Sequence, residues 1–481
     1  MSESGVAPRA LLHRGMAVPR PSIDTVRCLW AGTGASALVV AGGVLVGPGA
    51  APHGRVVSGV GYIAAYAGVL GLVGAWVWLG RLLTRCPGPS RGIVLAALAV
   101  WGLPLLCGPI LYSRDIFSYA AHGREIVVGI NPYHHGPAAL GGGQYLRPVS
   151  STWSDARSPY GPFFLALDAL IVRISGPHAM MAVALLRLLS CAGVILLAVA
   201  LSRLASSYGA DPGLALWLGV LNPLMLLHVV SGGHNEGLML GLMTAGLVCA
   251  RKQRFAAGLV LCVLAAGVKV PAALGAVYVG AEWIGSCPDR SARARAAVRM
   301  AATAVATALS VTVAAGLGWG WIWVITTPTR VRTALSLTTD VGSLAGKVIG
   351  GLGRPVPAAW AMPAARLAGV AVAVTMGAIL LASRHRRPSA VGIGLTLLAV
   401  AALGPVIQPW YVLWGLVPLA AVASTRLRPA LVWTSAGLCF LVLPNGSAVA
   451  DVFQVAFLAT TAIVFVVGGR ERSPVASLTP V

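Results

Sequence analysis

Acidic side chains are scarce in this sequence: 13 Asp and Glu stand among 481 residues, against 35 Lys and Arg. Charge of either sign makes up only 10% of the chain, while 57% is hydrophobic and the mean hydropathy is +0.83. So little charge excludes an ordinary soluble protein, because no single aqueous core hides that much apolar surface; the solvent must be lipid. The net charge of +22 could be read as a nucleic-acid footprint. In so apolar a chain, however, Arg and Lys serve membrane topology, and no nucleic-acid partner is expected. Solenoid or propeller repeats, heptads and low-complexity domains are also missing, which leaves one integral unit.

What is present is a series of helix-length apolar runs at 29–46, 57–80, 93–111, 179–205, 213–230, 238–250, 255–284, 298–321, 360–383, 391–404, 410–423, 430–443 and 449–467. In hydrocarbon each helix satisfies its own backbone, so the expected fold is all-α, a polytopic transmembrane helical bundle of about 13–15 membrane segments. Basic residues cluster in the N-terminal leader, at Arg81/Arg85/Arg91, Arg251/Lys252/Arg254, Arg290 to Arg299, Arg384/Arg386/Arg387, Arg426/Arg428 and Arg470/Arg472. All can share the cytoplasmic side on two conditions. The 160–175 segment must lie at the interface as a short helix, which its length, Asp168 and Arg173 favour. The 255–284 run must turn back at Lys269-Val270-Pro271, because proline disfavours helix in the residue before it.

This arrangement puts both tails, 1–28 and 469–481, in the cytoplasm and two long segments, 112–178 and 322–359, outside, with short interfacial helices in the first. The leader reads as a signal anchor, with no cleavage site of the secretory kind. The cysteines agree: Cys28, Cys86 and Cys287 fall on the cytoplasmic side and the other five lie within apolar runs, so no disulfide framework is expected.

The charged exceptions carry the chemistry, since an ionisable group in or near a bilayer is costly. Asp115 follows an apolar run in LYSRDIFSYAAHGREIVVGINPY. It can cap the helix that begins after it, or act as a base whose pKa partial desolvation raises. Lys269, beside a proline in an apolar hairpin, has poor access to water, and an arriving phosphate would offset its desolvation. Arg187, about two turns into a run, admits the same role or pairing with Asp168. Arg330 and Arg332 stand outside against the positive-inside pattern, to meet phosphate or lipid headgroups. GGHNEG brings His234, Asn235 and Glu236 to the cavity mouth, too few ligands for a metal site. In QPWYVLW, Gln408, Trp410 and Tyr411 can form an interfacial belt or meet a sugar face.

The ordered motifs YSRDIFSYAAHGREIVVGINPY, SPYGPFF, LLRLLS, NPLMLLHVVSGGHNEGLMLGL, AAGVKVPAAL, LSLTTDVG and QPWYVLW resemble the polyprenol-phosphate-mannose-dependent α-(1→6)-mannosyltransferases of bacterial lipomannan biosynthesis, within the GT-C membrane glycosyltransferases. The resemblance implies an integral domain at 29–468: two added spans (29–80), a GT-C module (93–424) and C-terminal spans (430–468). It implies that Asp115 is the catalytic base, that Lys269 with Arg187 or Arg332 holds the donor phosphate, and that Tyr119, Tyr160, His234, Asn235, Glu236, Gln408, Trp410 and Tyr411 line the sugar sites. Mannose would pass from polyprenyl-phosphate-mannose to a mannosylated glycolipid acceptor with inversion at the outer leaflet of a bacterial plasma membrane. Related sequences often read His-Asn-Asp where this one has His234-Asn235-Glu236. No Asp-x-Asp or Asp-x-Glu pair occurs in the outer segments, so no metal or other cofactor is expected. An arabinose or glucose carrier, or a lipid-linked sugar flippase, remains open as an alternative, although a transporter would be expected to show related halves.

Overall fold

A computed structural model describes residues 22–51, 53–85, 90–323, 336–422 and 427–449. Residues 1–21, the C-terminal tail and nearly all of the predicted 449–467 span lie outside them. The described residues form helices throughout, with a single isolated bridge between Val442 and Ala448.

Helix α1 (Ile23–Val46) begins ahead of the predicted run because Ser22 caps it, its side chain accepting from the Thr25 amide at 3.1 Å, with Asp24 in the first turn. It forms a hairpin with α2 (Arg55–Arg85) through small residues. A Cβ on Gly42 would stand 2.5 Å from the Ala65 nitrogen, and one on Gly68 2.6 Å from the Val39 nitrogen. Close backbone approach of this kind is how helices associate where lipid supplies no hydrophobic drive. Helix α3 (Ser90–Cys107) joins them, with the Trp101 ring over Gly32 and its indole N–H donating to the Leu29 carbonyl at 3.0 Å.

The 112–178 segment folds into three short α-helices, α4 (Asp115–Val127), α5 (Ser151–Ser154) and α6 (Pro162–Ser175), with a 3-10 turn at Pro137–Leu140. Helix α6 is the predicted 160–175 helix. It buries Leu165, Ala169 and Val172 on one face and exposes Leu170 and Ile174 on the other. After α7 (Ala179–Ser207), the run at 213–230 is not one helix as expected. Helix α8 (Pro212–Gly219) stops, and Met225–Ser231 continues in wider π-type turns. Pro223 cannot donate to the preceding turn. Asn222 fills the gap, donating to the Leu218 carbonyl and the Ser435 hydroxyl and accepting from the Leu224 amide. Helix α9 (Glu236–Arg251) then packs on α7 with almost no side chain between them: a Cβ on Gly193 would fall 2.2 Å from the Leu238 nitrogen.

The 255–284 run is the predicted hairpin, α10 (Phe255–Ala266) and α11 (Ala273–Gly285), with Lys269 in its turn. Helix α12 (Arg290–Ala315) follows. Helix α13 (Leu337–Gly351), within the 322–359 segment, was not anticipated. The chain then runs through α14 (Pro355–Ala382), α15 (Ser389–Leu403), α16 (Val412–Ala420) and α17 (Arg428–Leu438). Helices α1, α2, α3, α7, α12 and most of α14 are long and apolar enough to cross a bilayer, and four further apolar stretches are shorter. This is a multi-pass membrane protein.

The start of α6 is seated on the hairpin turn by backbone alone. The Gly161 and Phe164 amides donate to the Val268 and Gly267 carbonyls at 3.4 and 3.1 Å, and a Cβ on Gly161 would lie 2.4 Å from the Gly267 oxygen. Gly161→Ala is expected to cost about 1–3 kcal/mol by forcing the two segments apart. A lowered melting temperature in detergent, with weakened function from the displaced Tyr160 and Lys269, would show it; an unchanged melt would mean that the contact yields freely.

Candidate active site

Asp115 owes its place to a sharp turn between α3 and α4. Tyr112 adopts φ +62, an uncommon conformation for a bulky residue, and its amide donates to the Pro444 carbonyl at 2.9 Å. The Asp115 amide in turn donates to the Ser113 hydroxyl at 3.0 Å. Asp115 is therefore the first residue of α4 and not its cap, and its carboxylate is left for other work.

Several segments meet around that carboxylate. Asp115 Oδ2 lies 3.7 Å from His234 Nδ1, and the Tyr119 hydroxyl 3.3 Å from the same nitrogen. His234 Nδ1 is also 3.9 Å from Glu236 Oε2, while Glu236 Oε1 takes the Lys269 ammonium at 2.5 Å. Lys269 Nζ sits 4.7 Å from the Tyr411 ring centre and 5.4 Å from that of Trp414, within cation–π range. The His234 ring lies on Trp410 with centroids 4.0 Å apart, and Tyr119 meets Tyr160 edge to face at 5.0 Å. Ser190 fixes the GGHNEG turn from α7, its hydroxyl donating to the His234 carbonyl at 2.5 Å.

The Asp115 side chain is 23% exposed. Burial pushes its carboxyl up to about 6, Lys269 draws it back, Glu236 raises it and a hydrogen bond from Ser113 lowers it. Several polar atoms around it have no hydrogen-bond partner among the described residues: His234 Nε2, the Asn235 amide, Glu236 Oε2 and the indole nitrogens of Trp410 and Trp414. Buried polar atoms are normally paired, so such a concentration marks where a polar ligand fits. Gln408, half-buried, precedes the short turn Pro409–Tyr411 that presents Trp410 and Tyr411.

The structure thus brings together Asp115, Tyr119, Tyr160, His234, Glu236, Lys269, Trp410 and Tyr411, with Asn235 in the same turn. It does not bring in Arg187. That guanidinium is buried and donates to the backbone carbonyls of Val230, Gly108 and Leu105, tying the end of α3 to the π-type segment. The alternative pairing of Arg187 with Asp168 is not made either. Asp168 is fully buried on α6, neither carboxyl oxygen has a hydrogen-bond partner among the described residues, and burial holds it well above the usual carboxylate range. Arg330 and Arg332 lie outside the described residues. Glu236 acquires a partner, Lys269, that the expectation of a sugar contact did not include. A His122–Glu125 pair on α4, with Nδ1 to Oε2 at 2.6 Å, was missed altogether; its i, i+3 spacing was the available signal.

A carboxylate, an ammonium and unpaired polar and aromatic groups, gathered at the short helices and turns of a chain that also carries lipid-length helices, define a multi-pass membrane enzyme. Residues 23–285 match the family model "Alpha-(1->6)-mannopyranosyltransferase, N-terminal domain", and 338–469 match "MptB C-terminal domain". The chain belongs to this α-(1→6)-mannopyranosyltransferase family. It is 36% identical over 234 residues to alpha-(1->6)-mannopyranosyltransferase A of Corynebacterium glutamicum, covering 47% of each chain. It is 31% identical over 407 residues to the A protein of Mycobacterium tuberculosis, covering 82% of this chain and 77% of that one. It is 31% identical over 424 residues to the B protein of C. glutamicum, covering 81% and 70%. The first of these matches spans about half the relative's length. No solved structure matches the chain.

Proposed function

We propose that this protein transfers mannose from polyprenyl-phosphate-mannose to a mannosyl lipid acceptor, forming an α-(1→6) linkage with inversion at the outer leaflet. The basic clusters that set this orientation leave both termini in the cytoplasm. The observation that carries the reading is the convergence of Asp115 and Lys269 beside an apolar groove. That groove is lined by Tyr160, Pro162, Val263, Gly267, Val270 and Val311, so the hairpin turn that carries Lys269 borders it at Gly267 and Val270. A carrier tail in the groove would deliver its phosphate to Lys269.

In the proposed reaction Asp115 takes the proton of the acceptor 6-hydroxyl as its oxygen attacks the anomeric carbon. The bond from that carbon to the phosphate oxygen breaks on the opposite face, and polyprenyl phosphate departs with the electron pair. A β-linked donor gives an α product. One carboxylate suffices because phosphate needs cationic stabilisation more than a proton. Lys269 supplies it once phosphate displaces Glu236, and Arg187 takes no part. Tyr119, Tyr160, His234, Asn235, Gln408, Trp410 and Tyr411 surround the sugars, and transfer proceeds without added metal.

The test supplies purified protein with labelled mannosyl, glucosyl and arabinosyl carriers, a short α-(1→6)-mannoside and a chelator. Mannose alone should be added, in the α configuration; another sugar, or movement of carrier without a new glycosidic bond, would defeat the reading. Because the base must be ionised, kcat/KM should climb as pH rises through about 6 and level off above it. A profile flat between pH 5 and 7 would remove Asp115 from that role.

A further inference from the structure

A second cavity also borders Tyr160. It is a narrow crevice whose walls include the polar side chains of Asp115, Ser118, His122 and Arg157 beside Trp153 and Tyr160. Three of these stand on one face of α4 at i, i+3 and i+7. His122 and Glu125 are both buried, and Glu125 Oε2 holds His122 Nδ1 at 2.6 Å, which fixes the ring and leaves Nε2 as its remaining bonding atom. The Ser118 hydroxyl is buried without a hydrogen-bond partner among the described residues. Arg157 is exposed and Trp153 half-buried at the rim.

The chemistry of these walls selects a ligand. A carboxylate and an imidazole accept, a guanidinium donates, a hydroxyl does both, and an indole offers a flat apolar face. An anion would meet the Asp115 carboxylate, and an apolar chain would leave the other groups unpaired. A sugar ring, whose hydroxyls donate and accept around a patch of C–H, answers all of them. We propose that this crevice is the acceptor subsite: His122, held by Glu125, binds a hydroxyl of the acceptor mannoside and turns its reacting hydroxyl to Asp115, with Arg157 and Trp153 holding the ring from outside. Glu125 is a positioning residue, acting through His122. The assignment rests on the mannosyl-transfer reading above. The crevice is narrower than a hexose, so the proposal requires the 151–157 segment to move outward when the acceptor enters.

The decisive measurement is binding without turnover, using α-(1→6)-mannotriose and the full-length chain in nanodiscs, read by saturation-transfer NMR and calorimetry. Wild type should bind, and His122→Ala and Arg157→Ala should each weaken binding by about tenfold or more. Arg157 is exposed, so its variant keeps the experiment decisive if the His122 variant fails to fold. In turnover, both should raise the acceptor KM while leaving the donor KM unchanged. Glu125→Gln should raise the acceptor KM less, again without touching the donor, a split that general loosening would not produce. Mannoside binding that survives both alanine variants, or that is absent in wild type, overturns the assignment. Mannoside binding lost in the variants, with no transfer from any carrier, would uphold the crevice and sink the transfer reading instead. Transfer with a normal acceptor KM in both variants would do the reverse.

Discussion

Asp115→Asn is expected to lower kcat/KM by about two orders of magnitude or more, a loss of about 3 kcal/mol of transition-state stabilisation, while the chain stays folded. The amide keeps the size and place of the carboxylate but cannot take the acceptor proton. The stability control has a definite sign. The folded chain holds the Asp115 proton more tightly than the unfolded chain does, because burial raises its carboxyl to about 6. Its ionisation therefore removes stability as pH rises from the ordinary carboxylate range through about 6. At neutral pH the Asn variant should melt no lower than wild type. Wild-type turnover in this variant would refute the assignment of the base. A large fall in melting temperature would mean instead that the carboxylate supports the fold.

Lys269→Ala has two effects that must be separated. It removes the cation proposed for the donor phosphate, and it also strands Glu236, which is fully buried and bonded to that ammonium. Breaking one side of a buried pair costs about 3–5 kcal/mol, so the single variant should be poorly folded as well as inactive. Adding Glu236→Gln removes the stranded charge and should restore most of the lost melting temperature. The double variant should still fail to turn over the lipid-linked donor, with affinity for that donor reduced. A double variant that regains donor binding and turnover would take Lys269 out of the phosphate site and leave it a structural partner of Glu236.

The two residues at the centre of these predictions were legible in the sequence because each contradicts its surroundings. Lys269 interrupts an apolar run beside a proline, and that same proline announced the α10–α11 hairpin. Asp115 comes soon after a lipid-length run in a chain with few carboxylates. What the sequence hid depended on partners from elsewhere. Arg187 looked like a partner for phosphate or for Asp168 because its actual acceptors are three main-chain carbonyls, which no residue letter records. The break at Asn222–Pro223 was concealed by uniformly apolar neighbours on both sides, and it is sustained by Ser435, far along the chain. Helix α13 stood in a stretch assigned to an outer loop. The Lys269–Glu236 pair joins residues 33 positions apart through the turn of one hairpin and the start of α9.

Pro159 and Tyr160 border both cavities, one largely apolar and one carrying the polar side chains of Asp115, Ser118, His122 and Arg157. Two reactants that each take one of these cavities need not pass one another to arrive or leave. On the proposed assignments a spent carrier would return to the lipid without passing the glycan, which need only advance by one sugar to offer its new 6-hydroxyl.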